Sequence, residues 1–148
     1  MSLDVSPDGK TIAFDLMGDI YTIPIEGGKA SPITTGIAYE THPRFSPDGE
    51  KILFTSDRAG NDNLWYIDMV KKDTVQVTKD KNGDVPGAAW TPDGKYIIVS
   101  KGRRIPKLWM YHIDGGGGIQ LNENPSSMKT IDPVVSPDGK KVYFSHRT

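Results

Sequence analysis

Short runs of alternating apolar and polar residues recur along the whole chain. Each run places two β-branched or aromatic residues two positions apart, and the pairs are Ile12 and Phe14, Ile52 and Phe54, Ile97 and Val99, and Val142 and Phe144. Successive side chains of a strand point to opposite faces, so a period of two with these residue types predicts β-strands. No segment has the spacing of a confident helix.

Further strand-like segments accompany each run. One apolar position precedes it and is filled by Val5, Phe45, Trp90 and Val135. One segment follows it at residues 20–23, 64–67 and 108–111, and a shorter one at residues 32–34, 76–78 and 120–122. Four strands in a fixed order make one repeating unit, and only the first two are found in the last repeat.

A Ser/Thr-Pro-Asp-Gly tetrapeptide joins the first and second strands of every repeat. It begins at residues 6, 46, 91 and 136, so its spacing is 40, 45 and 45 residues. Proline pre-sets φ at the turn, aspartate accepts hydrogen bonds from nearby backbone N–H groups, and glycine adopts the left-handed conformation. A ring of carboxylates for metal binding or catalysis is the alternative, but turn chemistry alone accounts for Asp8, Gly9, Asp48, Gly49, Asp93, Gly94, Asp138 and Gly139.

The repeat predicts an all-β fold. A period of about 40–45 residues with four strands per unit is typical of propeller blades. We expect one domain over residues 1–148, a partial β-propeller of three four-stranded blades plus the first two strands of a fourth. The repeats cover approximately residues 1–40, 41–85, 86–130 and 131–148. Because a propeller has about 4–8 blades and closes into a ring, we expect a fragment of a larger protein that self-associates through exposed blade faces, most simply as a dimer.

The composition of the chain limits the kinds of partner and chemistry that we expect. The chain has 148 residues, a net charge of −1 and no cysteine, which removes disulfides and thiolate chemistry and gives no basic surplus for nucleic acid. No apolar run approaches the roughly 18 residues needed to span a bilayer, so we expect no membrane insertion. No signal peptide precedes the first repeat, and we expect the native start to lie upstream.

Candidate binding groups fall on one predicted face, formed by the loops between blades and the loops between second and third strands. This face carries Asp57 and a basic set that includes Lys101 and Lys107. The binding candidates are Arg58, Arg103, Arg104 and His42, which could hold or steer an anionic partner; the alternative is a solvated loop, and Asp57 with Arg58 fits a structural bridge between loops or blades. We expect no catalytic residue and no metal site in this chain, because the three histidines lie in different repeats and no serine has a nucleophile-elbow sequence.

An aromatic column in the third strands has two readings. Tyr21, Trp65 and Trp109 share one position of the repeat. Packing between blades explains this spacing without further assumptions, whereas a ligand-stacking ladder is the alternative. The four glycines at residues 115–118 predict a flexible hairpin tip.

The segment at residues 43–58, followed by Gly60, residues 63–65 and residues 77–78, resembles the repeat of Tol-type (PD40-like) β-propellers. That family includes the periplasmic protein of the Tol–Pal system and the propellers of oligopeptidases and tricorn-like proteases. Residues 4–24 and 108–116 resemble the amino-terminal propeller region of large bacterial proteins that end in a metal-dependent amidohydrolase domain.

The resemblance implies a non-catalytic scaffold or binding segment within a larger hydrolase. It implies a periplasmic or secreted parent and a divalent metal in a separate downstream domain, with no cofactor in this chain. The alternative is a segment that directly lines the active site of a propeller-containing amidohydrolase or peptidase.

Overall fold

The structure, a computed structural model, describes residues 1–81, 83–123 and 126–147. Over these residues the chain forms strands, turns and loops without a helix, so it offers no helix that could span a membrane. The strands are β1 (Leu3–Val5), β2 (Thr11–Leu16), β3 (Asp19–Pro24), β4 (Ser31–Pro32), β5 (Glu40–Phe45), β6 (Lys51–Ser56), β7 (Asn63–Asp68), β8 (Asp73–Gln76), β9 (Gly87–Trp90), β10 (Tyr96–Lys101), β11 (Lys107–His112), β12 (Ile119–Gln120), β13 (Lys129–Val135) and β14 (Val142–Arg147).

These strands form four antiparallel sheets in sequence order. β1–β4, β5–β8 and β9–β12 are four-stranded sheets, and β13 pairs with β14 in a sheet of two. We call these sheets blades 1 to 4. The prediction of three four-stranded blades plus the first two strands of a fourth is confirmed.

The outermost strands begin and end earlier than predicted. β4, β8 and β12 end at residues 32, 76 and 120 rather than at 34, 78 and 122. Beyond each strand, a polar side chain accepts a hydrogen bond from the backbone N–H of the third strand and so replaces a backbone ladder bond. The bonds are Thr34 Oγ1 to Ile20 N (2.8 Å), Thr78 Oγ1 to Leu64 N (2.9 Å) and Asn122 Oδ1 to Leu108 N (2.8 Å).

The tetrapeptide turns are closed by their own side chains. In blade 2, Ser46 Oγ donates to Asp48 Oδ1 (2.5 Å), and the same oxygen of Asp48 accepts from Glu50 N (3.0 Å). The other three turns repeat both bonds. Hydrogen bonds from the turn's own hydroxyl and backbone lower the pKa of the equivalent carboxyls, which are Asp8, Asp93 and Asp138.

The turns also stack from blade to blade. Gly49 has φ +75°, and a Cβ added there would lie 3.5 Å from Cδ of Pro7 in the preceding turn. The same approach joins Gly94 to Pro47 and Gly139 to Pro92, at 3.9 and 3.6 Å. The glycine therefore serves the left-handed turn and leaves room for the proline of the blade before it.

The hydrophobic core lies between blades. One buried cluster joins blades 1 and 2 and consists of Ala13, Ile20, Ile52, Phe54 and Ile67. A second joins blades 2 and 3 and consists of Leu53, Leu64, Val77, Val85, Trp90, Ile97, Val99 and Tyr111. Blade 2 therefore buries both faces, because alternate residues of its strands face opposite neighbours.

Candidate functional site

The second strands of blades 1 to 3 are each fastened by a polar side chain near their end to the first strand of the next blade or to the segment just before it. Asp15 Oδ2 accepts from the backbone N–H of His42 at 3.0 Å. At the equivalent positions, Thr55 Oγ1 donates to the carbonyl oxygen of Val85 (3.4 Å) and Ser100 Oγ donates to that of Thr130 (2.5 Å). This column therefore holds neighbouring blades together.

Arg58 is part of a buried ion pair. Its guanidinium donates to Glu40 Oε1, and the Glu40 side chain is 3% exposed. The guanidinium carbon also lies 5.3 Å from the Phe54 ring centre and 5.2 Å from that of Trp65. Arg58 thus joins β6, β7 and the start of β5, and its side chain retains 28% exposure.

Lys101, the last residue of β10, makes comparable contacts in blade 3. Its Nζ lies 3.0 Å from both carboxylate oxygens of Asp80 and 4.2 Å from the Trp109 ring centre. Burial lowers the pKa of Lys101, but its interactions with Tyr111 and Asp80 outweigh burial and raise that pKa above its usual range. Two of the three aromatic residues of the third-strand column therefore pack against a cation of their own blade.

The remaining predicted arginines lie on an exposed loop. Arg103 lines a cleft of about 590 Å³ together with the carboxylates Asp57, Asp62 and Asp84. Partial burial raises the pKa of Asp62, and the charges of Asp84 and Asp57 raise it further. Arg104 is exposed on the same loop. The cleft around Arg103 is rich in negative charge and does not favour an anion.

Asp57 and Arg58 do not pair with each other in this structure. Asp57 Oδ1 accepts from the backbone N–H of Tyr39 at 2.7 Å, and Tyr39 is the residue directly before Glu40, the partner of Arg58. Both side chains thus reach from the loop after β6 to the segment that leads into β5.

His42 lies in a different place from the arginines. It has φ 59° at a bulge in β5 and lines a groove of about 380 Å³ where the first strands of blades 1 to 4 converge. We call this the axial groove. Asp132, with φ 53°, takes the equivalent position in β13 and also lines it, as do Arg44 and Trp90.

Sequence reasoning missed the axial groove, although a signal for it exists. His42 and Asp132 each precede a proline in a first strand, at residues 43 and 133, and this pattern marks irregular strand positions. In the part of the chain that the structure describes, histidine, aspartate and glutamate form no group of three or more that could hold a metal ion.

The stacked antiparallel blades, joined by repeated turn and side-chain contacts, define a partial β-propeller. The chain belongs to the TolB beta propeller domain family, whose pattern matches residues 2–148. It superimposes on the crystal structure of TolB from Acinetobacter baumannii with a TM-score of 0.81 and 29% identity, covering 99% of this chain and 37% of that one.

Two relatives carry peptidase names. The uncharacterized peptidase YuxL of Bacillus subtilis (strain 168) is 30% identical over 95% of this chain, which spans 20% of that protein. The Tricorn protease homolog 1 of Streptomyces coelicolor (strain ATCC BAA-471 / A3(2) / M145) is 29% identical over 80% of this chain, which spans 12% of it. The chain is therefore similar to TolB and to parts of peptidases, and it spans well under half of each of these proteins.

Proposed function

We propose that this chain is a non-catalytic β-propeller scaffold within a larger hydrolase, with the chemistry in another part of that protein. The observation that supports this most is that several of its charged side chains already have partners within the fold. Arg58 is held by Glu40, Lys101 is held by Asp80, and Asp15 is bonded across the blade interface. Groups that are committed to the framework cannot also turn over a substrate without breaking it.

The peptidase names of two relatives support a parent that cleaves amide bonds. The resemblance of residues 4–24 and 108–116 to amidohydrolase-linked propellers leads us to propose a metal-dependent amidohydrolase, with its divalent metal bound outside this chain. We expect a chelator to abolish amide hydrolysis by the full-length protein and a divalent ion to restore it. Inactivation by a fluorophosphonate instead would assign a serine peptidase mechanism and contradict the amidohydrolase proposal.

Variants of the exposed arginines distinguish the scaffold proposal from the alternative, in which this chain directly lines the active site. We expect the Arg103→Ala/Arg104→Ala double variant of the full-length protein to keep kcat/KM within about twofold. The matched control is Lys140→Ala/Lys141→Ala, which removes two adjacent charges at a distant exposed turn. If the chain lines the site for an anionic substrate, the arginine variant loses about tenfold or more, mainly through KM, while the lysine variant does not.

We also propose that the isolated chain self-associates, most simply as a dimer. Large apolar side chains are exposed at both ends of the blade series, with Leu3 at 55%, Val5 at 42%, Val134 at 59% and Tyr143 at 58%. Such patches drive association when nothing covers them. Light scattering after gel filtration at several concentrations tests this, and a monodisperse monomer throughout contradicts it.

We propose a periplasmic or secreted location for the parent, because the chain is a member of the TolB family. Fractionation of cells that express the tagged full-length protein tests the location. Recovery with cytosolic markers only would contradict it.

A further inference from the structure

The outer strand of blade 2, β8, differs from the outer strands of blades 1 and 3. β8 spans four residues, whereas β4 and β12 span two each. In blade 1, Pro32 takes the position of Gln76, and proline has no N–H to offer a further strand. In blade 3, the register places Gly118 at the position of Thr74, and its φ of 73° lies outside the extended region. Of these three outer strands, β8 alone has an uninterrupted edge.

The backbone of β8 presents hydrogen-bonding groups away from the blade at two positions. Val77 N donates to Leu64 O (2.8 Å) and so faces β7. Because backbone directions alternate along a strand, the N–H and C=O groups of Val75 also face β7, while those of Thr74 and Gln76 face outward. An open edge of this kind can pair with one further extended strand.

A cleft of about 610 Å³ lies beside this edge, between the complete blades 2 and 3. Its apolar lining is formed by Tyr66, Val75, Val77, Tyr111 and Ile113. Residues 115–117 also line it, and because all three are glycine they put no side chain into it. A strand added to β8 would place one side chain on the same face as Val75, in this cleft. Asp114 on the opposite wall disfavours a carboxylate there, so the side chain that fits is apolar.

The charge on both sides of β8 is basic. The exposed lysines that flank the strand are Lys71, Lys72, Lys79 and Lys81. None of the ion pairs formed by the described residues involves them. Of the two aspartates in the same stretch, Asp80 is already bound by Lys101 at 3.0 Å. The ends of a strand paired with β8 would therefore meet positive charge, which favours acidic residues there.

We propose that β8 binds an extended acidic segment of a partner protein by antiparallel strand addition. One apolar side chain of that segment lies in the cleft between blades 2 and 3, and acidic residues lie three or four positions to either side of it. This spacing matches Lys71, Lys72 and Lys79, which are three or four residues from Val75. Backbone pairing supplies affinity, while the cleft and the lysines supply specificity. The surface adds a binding function to the scaffold and depends on neither end of the blade series.

The probe is the peptide Asp-Glu-Thr-Thr-Phe-Thr-Thr-Glu-Asp, blocked at both ends and added to the 148-residue chain while amide hydrogen exchange is followed. We expect exchange at Thr74 and Gln76 to slow by about tenfold or more. Exchange at Val75 and Val77 should not change, because their amides already face β7. The same peptide with asparagine and glutamine in place of its acids should bind about tenfold more weakly. A peptide N-methylated at the two threonines beside phenylalanine should give no slowing, and equal protection by either control peptide would overturn the proposal.

A proline variant tests the edge itself. Gln76→Pro removes one outward N–H and leaves the ladder to β7 intact, as Pro32 does in blade 1. We expect it to weaken binding of the acidic peptide about tenfold or more. Gln120→Pro makes the same change on β12 and is the matched control, which should bind as the unchanged chain does. Retained slow exchange at Val77 shows that the Gln76→Pro blade is folded, and undiminished binding by that variant would contradict the proposal.

Charge variants distinguish strand pairing from simple attraction. Lys71→Gln/Lys79→Gln should weaken the acidic peptide about fivefold, whereas Lys140→Gln/Lys141→Gln, at a distant exposed turn, should have no effect. Protection of the outward amides of β8 by polyglutamate, undiminished in Gln76→Pro, would show attraction without pairing and refute strand addition. Slower exchange of these amides on raising the protein concentration alone would assign the edge to a second copy and refute the acidic partner.

Discussion

Arg58→Ala tests whether a buried ion pair between charged residues stabilises blade 2 of the chain. Breaking a buried ion pair costs about 3–5 kcal/mol because the remaining charge loses its partner. Glu40 is 2% exposed, but the Arg58 side chain is 28% exposed, so solvent screening reduces this to about 2–3 kcal/mol. The contacts with Phe54 and Trp65 add about 0.5–1 kcal/mol each. We expect a total loss of about 3–5 kcal/mol in the free energy of unfolding.

Urea unfolding of the isolated chain measures this loss through the midpoint and slope of the transition. Arg58→Lys keeps the charge and should lose about half as much, because an ammonium cannot match the planar guanidinium between two rings. The double variant Glu40→Gln/Arg58→Ala should recover about 1–2 kcal/mol relative to Arg58→Ala, since no charge then stays buried. Arg103→Ala is the matched surface control and should change stability by less than about 0.5 kcal/mol. A loss below about 1 kcal/mol for Arg58→Ala would refute the reasoning.

Three further outcomes follow from local geometry. Thr78→Val keeps the buried volume but leaves a third-strand backbone N–H without its acceptor, and we expect urea unfolding to show a loss of about 1–3 kcal/mol. Gly118→Ala should lower the melting temperature more than Gly116→Ala, because both residues have positive φ but only at Gly118 would a Cβ meet the Tyr111 ring, at 2.5 Å. Partial burial raises the pKa of Asp48, but hydrogen bonds in its turn outweigh burial and lower it. The stability that this carboxylate contributes is therefore present above its unfolded pKa of about 3.9 and lost as pH falls through the folded value; Asp48→Asn should flatten the acid side of the curve of stability against pH.

The strands and the blade count could be predicted from the sequence because both depend on local patterns. Alternation fixes the strand period, and the tetrapeptide fixes the turn between first and second strands. The ends of the outer strands could not be predicted. Thr34 and Thr78 are β-formers by propensity, and only the folded blade shows that each side chain replaces a backbone acceptor.

The candidate site was harder to predict because its contacts are distant in sequence. Arg58 and Glu40 lie 18 residues apart, and Asp15 and His42 lie 27 apart. The order of the strands predicts which loops, and so which charged residues, lie at the same end of the blades. It does not show which of these residues form pairs. Binding of an anionic partner therefore stays a prediction for Arg103 and Arg104, whereas Arg58 is paired with Glu40 inside the framework.

The contacts described above act within one blade or between neighbouring blades, so the stability of this chain is close to a sum of blade and interface contributions. Blade 2 has a complete neighbour on each side, and Ile52, Leu53 and Phe54 are all 0% exposed. Blade 4 consists of two strands in the described part of the chain, and Tyr143 is 58% exposed. The same type of substitution therefore removes more burial in blade 2 than at the ends of the series. The ends are where a further strand or partner gains most by binding, because burying their apolar surface still lowers the free energy.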